Sequence, residues 1–168
     1  MPDEQRIAVL FLCTGNSARS VLAEVLLNSL AGDRFVAYSA GSQPTGRVNP
    51  GAIAQLERMG HPTSDLRSKS WDEFAEPGAP SFRFVFTVCD NAAGESCPTW
   101  IGAPMTIHWG IPDPAAVTEP PDAVASAFEL AYGQMRRRIG GLIELPLDDL
   151  TDDEIRARLT ALGADPTT

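Results

Sequence analysis

The chain has 168 residues and carries 22 acidic against 13 basic side chains, which gives a net charge of −9 at neutral pH. This balance disfavours nonspecific binding to nucleic acid or to an anionic membrane surface. The charged residues that open the chain are unlike a secretory signal, and no early apolar run could cross a bilayer. We therefore expect one cytoplasmic domain over residues 1–168, with no nucleic-acid or membrane partner and with its three cysteines kept as thiols.

Strand-like and helix-like segments alternate along the chain. Apolar runs bounded by turn residues predict strands at 6–12, 35–40, 82–88 and 105–109. Helical spacing and capping residues predict helices at 18–30, 49–60, 71–74, 122–144 and from Thr151 onward. This order predicts an α/β fold with a single doubly wound parallel sheet, in which a site forms beyond the carboxyl ends of the strands.

The negative net charge means that an anionic substrate must be captured by a local group of donors. Arg136, Arg137 and Arg138 form the only basic cluster of the sequence. They fall late in the predicted helix 122–144, where cations interact favourably with the negative end of the helix dipole. We expect these three side chains to face water, so the anion site is sought elsewhere.

The segment between the first strand and the first helix has the composition of an anion-binding loop. It consists of Cys13, Thr14, Gly15, Asn16, Ser17, Ala18, Arg19 and Ser20. A cysteine six positions before an arginine lets a loop wrap one tetrahedral oxyanion, with the sulfur beneath it and the guanidinium over two of its oxygens. Inward-facing amides of residues 15–19 and the positive end of the helix dipole would stabilise both the oxyanion and a Cys13 thiolate. The alternative is a buried structural cysteine at the end of a strand.

Three residues of this loop have individual expected roles. Gly15 permits the unusual backbone angles of an anion-binding nest, and Asn16 tolerates left-handed geometry and can tie the loop together. Ser20 offers a hydroxyl near the sulfur. Together they favour a catalytic loop over a simple strand end.

An acid in a rigid turn follows the fourth predicted strand, in the segment from Trp109 to Pro114. Its carboxyl group, that of Asp113, could protonate an oxygen that leaves when sulfur attacks an oxyanion, because an unprotonated oxide is a poor leaving group. The alternative is an ordinary Asp-Pro turn. The anion-binding loop favours the catalytic interpretation.

The loop and the Asp113-Pro114 turn resemble the low-molecular-weight tyrosine phosphatase family over nearly the whole chain, which implies the fold of that family. Its pattern has a second cysteine just before the loop arginine and tyrosines after the Asp-Pro pair. Here Ala18 and Ala115-Ala116 occupy those positions. The sequence is instead similar to the arsenate reductases that share this fold, on Cys89, Cys97, Tyr38-Ser-Ala-Gly41, Thr63-Ser-Asp65 and His108-Trp-Gly110.

The resemblance implies a relay of three cysteines acting on arsenate. Cys13 attacks arsenate while Arg19 and the loop amides hold its oxygens, and Asp113 supplies the proton for departing hydroxide. Cys89 then attacks Cys13 and releases arsenite, and Cys97 resolves the resulting disulfide. Because a disulfide needs α-carbons within about 7 Å, the segment 89–97 must move between these steps.

The resemblance also implies the partners and cofactors of such an enzyme. We expect a thioredoxin or glutaredoxin-type reductant and no bound organic cofactor. Thioredoxin-coupled members usually have their second and third cysteines one residue closer than Cys89 and Cys97, so a donor that leaves Cys97 as a spectator stays open. Some members hold potassium, and that pattern appears here as Asn16, Glu24, Ser39, Thr63 and Asp65, which could equally be capping and network residues.

Three other functions remain open at the level of the sequence. A phosphomonoester hydrolase would use Cys13, Arg19 and Asp113 but would have no use for the other two cysteines. An oxyanion-binding module would have no use for an acid. A zinc site on Cys89, Cys97 and His108 is disfavoured, because structural zinc ligands usually come in short paired spacings.

Overall fold

The computed structural model describes residues 6–88 and 104–164. Its strands are β1 (Ile7–Cys13), β2 (Phe35–Gly41), β3 (Phe82–Thr87) and β4 (Met105–His108), and its helices are α1 (Arg19–Ala31), α2 (Pro50–Arg58), α3 (Pro121–Glu144) and α4 (Asp152–Gly163). Short 3₁₀ helices lie at Trp71–Phe74, Pro114–Ala116 and Leu147–Asp149. The predicted elements are all present, with ends that differ by one or two residues.

The four strands form one parallel sheet in the order β2-β1-β3-β4. The first strand of the chain is therefore central, and the strand order reverses beside it. Parallel strands align their carboxyl ends, so β1, β3 and β4 end at the same edge of the sheet. The predicted α/β fold is confirmed, and the predicted anion-binding loop lies at that edge.

The two faces of β1 contribute to different hydrophobic clusters. Val9, Phe11 and Cys13 point into the larger cluster, which packs under the α-helices. Leu10 and Leu12 point into a smaller cluster on the other face, beside the 3₁₀ helix Trp71–Phe74. Because both faces are covered, β1 is a continuous apolar run, as buried parallel strands are.

Two of these α-helices, α2 and α4, begin at residues whose side chains cap the helix. Asn49 caps α2 through its side chain, which accepts a hydrogen bond from the amide of Gly51, and Thr151 forms a capping box with Glu154 at the start of α4. Within residues 6–88 and 104–164, no helix is long and apolar enough to cross a membrane.

Candidate active site

The loop that joins β1 to α1 turns at Asn16, whose φ angle is 45°. Gly15 lies outside the left-handed region, so the expectation that this glycine supplies the unusual backbone angle is wrong. Its lack of a side chain instead avoids a tight contact, because an added Cβ would lie 3.3 Å from the methyl carbon of Thr45. Asparagine takes the left-handed position because its short polar side chain tolerates it.

The carbonyl groups of this loop point outward, into hydrogen bonds with the surrounding chain. Backbone amides donate to them at 2.9, 3.0 and 2.8 Å, from Gln43 to Thr14, from Thr45 to Gly15 and from Asn49 to Ser17. A peptide group holds its carbonyl and its amide on opposite sides. Fixing the carbonyls outward therefore turns the amides of the loop inward.

The inward backbone amides have no partner among the described residues, so they can donate to a ligand. Within the described parts of the chain, the amides of residues 15–18 donate to no protein acceptor. Helix α1 follows directly, and Ala18 at its N-cap has no side chain that could satisfy the first-turn amides. A set of free amides at a helix N-terminus is the arrangement that binds phosphate-like anions.

Cys13 ends β1 at the base of this loop, and it is 3% exposed. Its sulfur lies 3.0 Å from the hydroxyl oxygen of Ser20, as the sequence predicts. The side-chain nitrogen of Asn16, Nδ2, donates to that same oxygen at 2.9 Å. Because the Ser20 oxygen already accepts this hydrogen bond, the hydroxyl proton is available to the sulfur, where it would stabilise a thiolate.

The orientation of the Asn16 amide follows from its second contact. The backbone N–H of Lys69 donates to Asn16 Oδ1 at 2.8 Å, and a backbone N–H can only donate. The nitrogen of the amide must therefore face Ser20. Asn16 is fully buried, so both of its hydrogen bonds hold the loop in one conformation.

Two supporting residues, Ser68 and Lys69, escaped the sequence analysis, and Gly41 entered it only within the motif Tyr38-Ser-Ala-Gly41. Ser68 donates its hydroxyl hydrogen to the carbonyl of Gly15 at 2.9 Å, and the amide of Gly41 donates to the carbonyl of Lys69 at 2.9 Å. These contacts join positions that are far apart in sequence, so local patterns carry no trace of them. Only the rarity of lysine in this chain could have drawn attention to Lys69.

Arg19 reaches from the first turn of α1 to the segment that follows β4. One guanidinium nitrogen donates to the carbonyl of Ile111 at 3.2 Å, and another lies 3.6 Å from Asp113 Oδ2. Asp113 accepts a hydrogen bond from the amide of Ala115 at 2.9 Å and is 43% exposed, against 16% for Arg19. The structure thus brings together the arginine and the acid that the sequence analysis singled out.

Arg138 corrects the expectation that all three arginines of the basic cluster face water. It is 3% exposed and donates to the carbonyls of Trp109 and Gly110 at 3.0 and 3.1 Å. It follows Met135 by three residues on the buried stripe of α3, and this spacing was the available signal. Arg136 and Arg137 are exposed as expected. Arg138 therefore fixes the start of the segment that carries Asp113.

The five residues of the potassium pattern are only partly brought together. Ser39 donates a short hydrogen bond to Glu24, and Asn16 is linked to them through Lys69, whose ammonium lies 3.7 Å from Glu24 Oε1. Thr63 donates instead to Glu57 at 3.1 Å. Asp65 and Glu24 both line a cavity of about 240 Å³.

Cys89 and Cys97, the second and third cysteines of the predicted relay, lie outside the described residues. His108, the third member of the zinc alternative, has its Nδ1 atom 2.7 Å from the hydroxyl of Thr87. In the described parts of the chain, no group of three or more His, Cys, Asp or Glu side chains is placed to hold a metal ion.

Known proteins resemble this chain over most of its length. The model of a family described as low molecular weight phosphotyrosine protein phosphatase matches residues 8–150. An arsenate reductase of Halalkalibacterium halodurans is 33% identical over 131 residues, which cover 78% of this chain and 91% of the relative.

Two solved structures illustrate the similarity in three dimensions. An arsenate reductase in the phosphate binding state is 25% identical, with a TM-score of 0.63 over 82% of this chain and 96% of the other. The tyrosine phosphatase Wzb from Escherichia coli K30, in complex with sulphate, is 20% identical, with a TM-score of 0.62 over 80% of this chain and 97% of the other. The likeness to the second structure concerns the fold alone.

Proposed function

Because the chain belongs to the low molecular weight phosphotyrosine protein phosphatase family, we propose that it applies the cysteine chemistry of that fold to the reduction of arsenate to arsenite. The observation that carries this proposal is the loop whose first residue is the buried thiol of Cys13 and whose inward amides have no acceptor among residues 6–88 and 104–164. A tetrahedral oxyanion is the ligand that such donors fit.

Two features favour arsenate over a phosphotyrosine substrate. The relatives at 31–36% identity are arsenate reductases. The 3₁₀ helix that follows Asp113 carries the small side chains Ala115 and Ala116, where aromatic side chains would be needed to stack on a tyrosyl ring. A small inorganic oxyanion needs no such platform.

The first chemical step forms a bond between sulfur and arsenic. The Cys13 thiolate attacks arsenate held by the loop amides and Arg19. One hydroxyl group of arsenate takes a proton from Asp113 and leaves as water. The product is an arsenic(V) adduct on the Cys13 sulfur. Arg19 neutralises the negative charge of the remaining oxygens and contacts Asp113, so it links the anion to the proton donor.

The second step transfers two electrons. The Cys89 thiolate attacks the Cys13 sulfur, a disulfide forms, and the electron pair of the broken sulfur–arsenic bond stays on arsenic, which leaves as arsenite. Cys97 then attacks Cys89, which frees Cys13 and leaves a Cys89–Cys97 disulfide. An external dithiol, thioredoxin or a glutaredoxin-type protein, returns this pair to thiols by donating two electrons.

The topology supports the pairing of Cys13 with Cys89. Leu12 of β1 is paired with Thr87 of β3, so Val88 is level with Cys13 on the neighbouring strand. The amide of Val88 donates to the carbonyl of Leu12 at 2.8 Å, and Cys89 is the next residue in the sequence.

The proposal is tested by measuring how much arsenite the fully reduced protein releases per chain when no external reductant is present. We expect one arsenite for each chain and a new disulfide detected by mass spectrometry, and we expect turnover only when a reducing system is added. The electron donor is identified by assaying the wild-type protein and Cys97→Ser side by side with a thioredoxin system and with a glutaredoxin system. Release of arsenite while every sulfhydryl stays intact would contradict the relay, and phosphate ester hydrolysis without arsenite would support the hydrolase instead.

Asp113→Asn is expected to lower kcat for arsenate by about 100-fold with little change in KM, because an amide cannot supply the proton. Asparagine can still accept the hydrogen bond from the Ala115 amide, so the turn is retained. Steady-state kinetics of the two proteins checks this expectation. Glu129→Gln, which removes an exposed carboxylate on α3, is the control and should leave kcat unchanged. An unchanged kcat in Asp113→Asn would remove this residue from the mechanism.

A further inference from the structure

Lys69 is the only lysine in a chain that contains twelve arginines, and its side chain is 8% exposed. Lysine is among the residues that are least often buried, because its ammonium is strongly hydrated. A sequence that uses arginine for every other basic position has therefore placed its single ammonium inside the protein. This location calls for a specific role.

The Lys69 ammonium lies close to a carbonyl oxygen and a carboxylate oxygen. It donates to the carbonyl of Arg67 at 3.1 Å and lies 3.7 Å from Glu24 Oε1, while Ser39 donates to the same carboxylate oxygen. Burial lowers the pKa of Lys69, and the Glu24 carboxylate opposes this effect. Carbonyl and carboxylate oxygens are the donors that hold hard cations in proteins.

The ammonium therefore lies beside two of the five residues that the potassium pattern predicts as metal ligands. Glu24 and Ser39 belong to that pattern and meet beside Lys69. Thr63, which also belongs to the pattern, donates its hydroxyl hydrogen to Glu57 instead. The residues present fit a protein-borne cation in this position better than a five-ligand metal site.

The backbone of Lys69 connects this charge to the anion-binding loop. Its N–H donates to Asn16 Oδ1, and its carbonyl accepts from the amide of Gly41. Asn16 in turn donates to Ser20, which contacts the Cys13 sulfur. The interactions that fix the Lys69 side chain thus also help to fix Asn16, the residue at which the loop turns.

We propose that the Lys69 ammonium is a built-in monovalent cation that positions the anion-binding loop through Asn16 and makes the loop independent of external potassium. Lys69 acts here as a positioning residue and does not touch the oxyanion. The inference goes beyond arsenate reduction, because it concerns how the loop binds any tetrahedral oxyanion.

The test compares Lys69→Met with the wild-type protein in potassium chloride and in choline chloride at equal ionic strength. The readouts are the thermal midpoint and the affinity for sulfate by calorimetry, neither of which needs turnover. In choline chloride the variant should melt ~5 °C lower, because the partly buried Glu24 carboxylate has lost its partner. Its affinity for sulfate should fall by about tenfold, a magnitude typical of coupled sites.

Potassium distinguishes a cation role from a packing role. It should restore much of the affinity for sulfate to Lys69→Met, while the wild-type protein should respond equally to the two salts. Arg158→Met is the control, since it removes one positive charge from an exposed position on α4. This control should show neither the lower affinity nor the response to potassium. A wild-type protein that gains affinity in potassium would overturn the proposal, as would a variant that loses none.

A second measurement keeps the proposal falsifiable if Lys69→Met does not fold. Labelling the wild-type protein with ¹⁵N-lysine gives a single side-chain resonance, because the chain has one lysine. We expect an ammonium signal at neutral pH, with hydrogens that exchange more slowly in wild type than in Glu24→Gln. A neutral amine at neutral pH, or exchange that is unaffected by Glu24→Gln, would overturn the proposal.

Discussion

Cys13→Ser is expected to lower arsenate reduction by at least ~10⁴-fold, because serine has nearly the same shape but supplies no thiolate and cannot form a disulfide. Binding of sulfate or phosphate should stay close to that of the wild-type protein, because the donors are backbone amides that the substitution leaves in place. Assays of arsenite formation and calorimetry on the same preparations separate these two effects.

Cys89→Ser is the companion variant, since it leaves Cys13 intact. It should also stop arsenite release, but any hydrolysis of an aryl phosphate should continue, because hydrolysis ends with water attacking the adduct and needs no second thiol. If Cys13→Ser still released arsenite at more than a tenth of the wild-type rate, Cys13 could not be the nucleophile. If Cys89→Ser released arsenite repeatedly, the electrons would have to come from another thiol.

Gly41→Ala is expected to disable the loop without touching a catalytic side chain. A Cβ at this position would lie 2.4 Å from the carbonyl oxygen of Thr14, 2.9 Å from that of Cys13 and 3.0 Å from the amide nitrogen of Asn16. All three are backbone atoms, so the clash can be relieved only by moving the loop. A displacement of about 1 Å at a reacting centre costs roughly 100-fold in rate.

The same substitution should also lower the thermal midpoint by ~5 °C, because overpacking against backbone is destabilising. Gly133→Ala in α3 is the matched control: an added Cβ there meets no atom within 4 Å. That variant should keep full activity and gain about 0.5–1 kcal/mol of stability, since alanine favours a helix interior. A Gly41→Ala protein that binds sulfate as tightly as the wild type would show that the loop is less constrained than these distances require.

The fold could be predicted because its signals are local. The apolar run of β1, the proline after Asn49 and the capping box at Thr151 each depend on a few neighbouring residues. Arg138 could not be assigned in this way, because its partners are the carbonyls of Trp109 and Gly110 on another element. Position on a helix predicts whether a side chain is buried more reliably than it predicts what a buried cation binds.

The site shows the same division. Cys13 and Ser20 lie in one continuous segment, and their contact was predictable from their spacing. The residues that support that segment are Lys69, whose backbone N–H binds Asn16, and Gly41, whose amide binds the Lys69 carbonyl. They lie far from the segment in sequence and act through backbone atoms. Sequence patterns describe side chains, so a support made of main-chain hydrogen bonds leaves little trace in them.

The outward carbonyls of the loop also bear on how the protein tells arsenic from phosphorus. Main-chain donors recognise the oxygens of an anion and are indifferent to its central atom, so phosphate should compete for the same cradle. Selection must then come after capture, at the step in which a second thiol attacks the first sulfur. That step succeeds only when the central atom can accept an electron pair and leave in a lower oxidation state. Fidelity would therefore be a property of the reaction's later course, and abundant cellular phosphate would slow the protein without being chemically altered by that electron transfer.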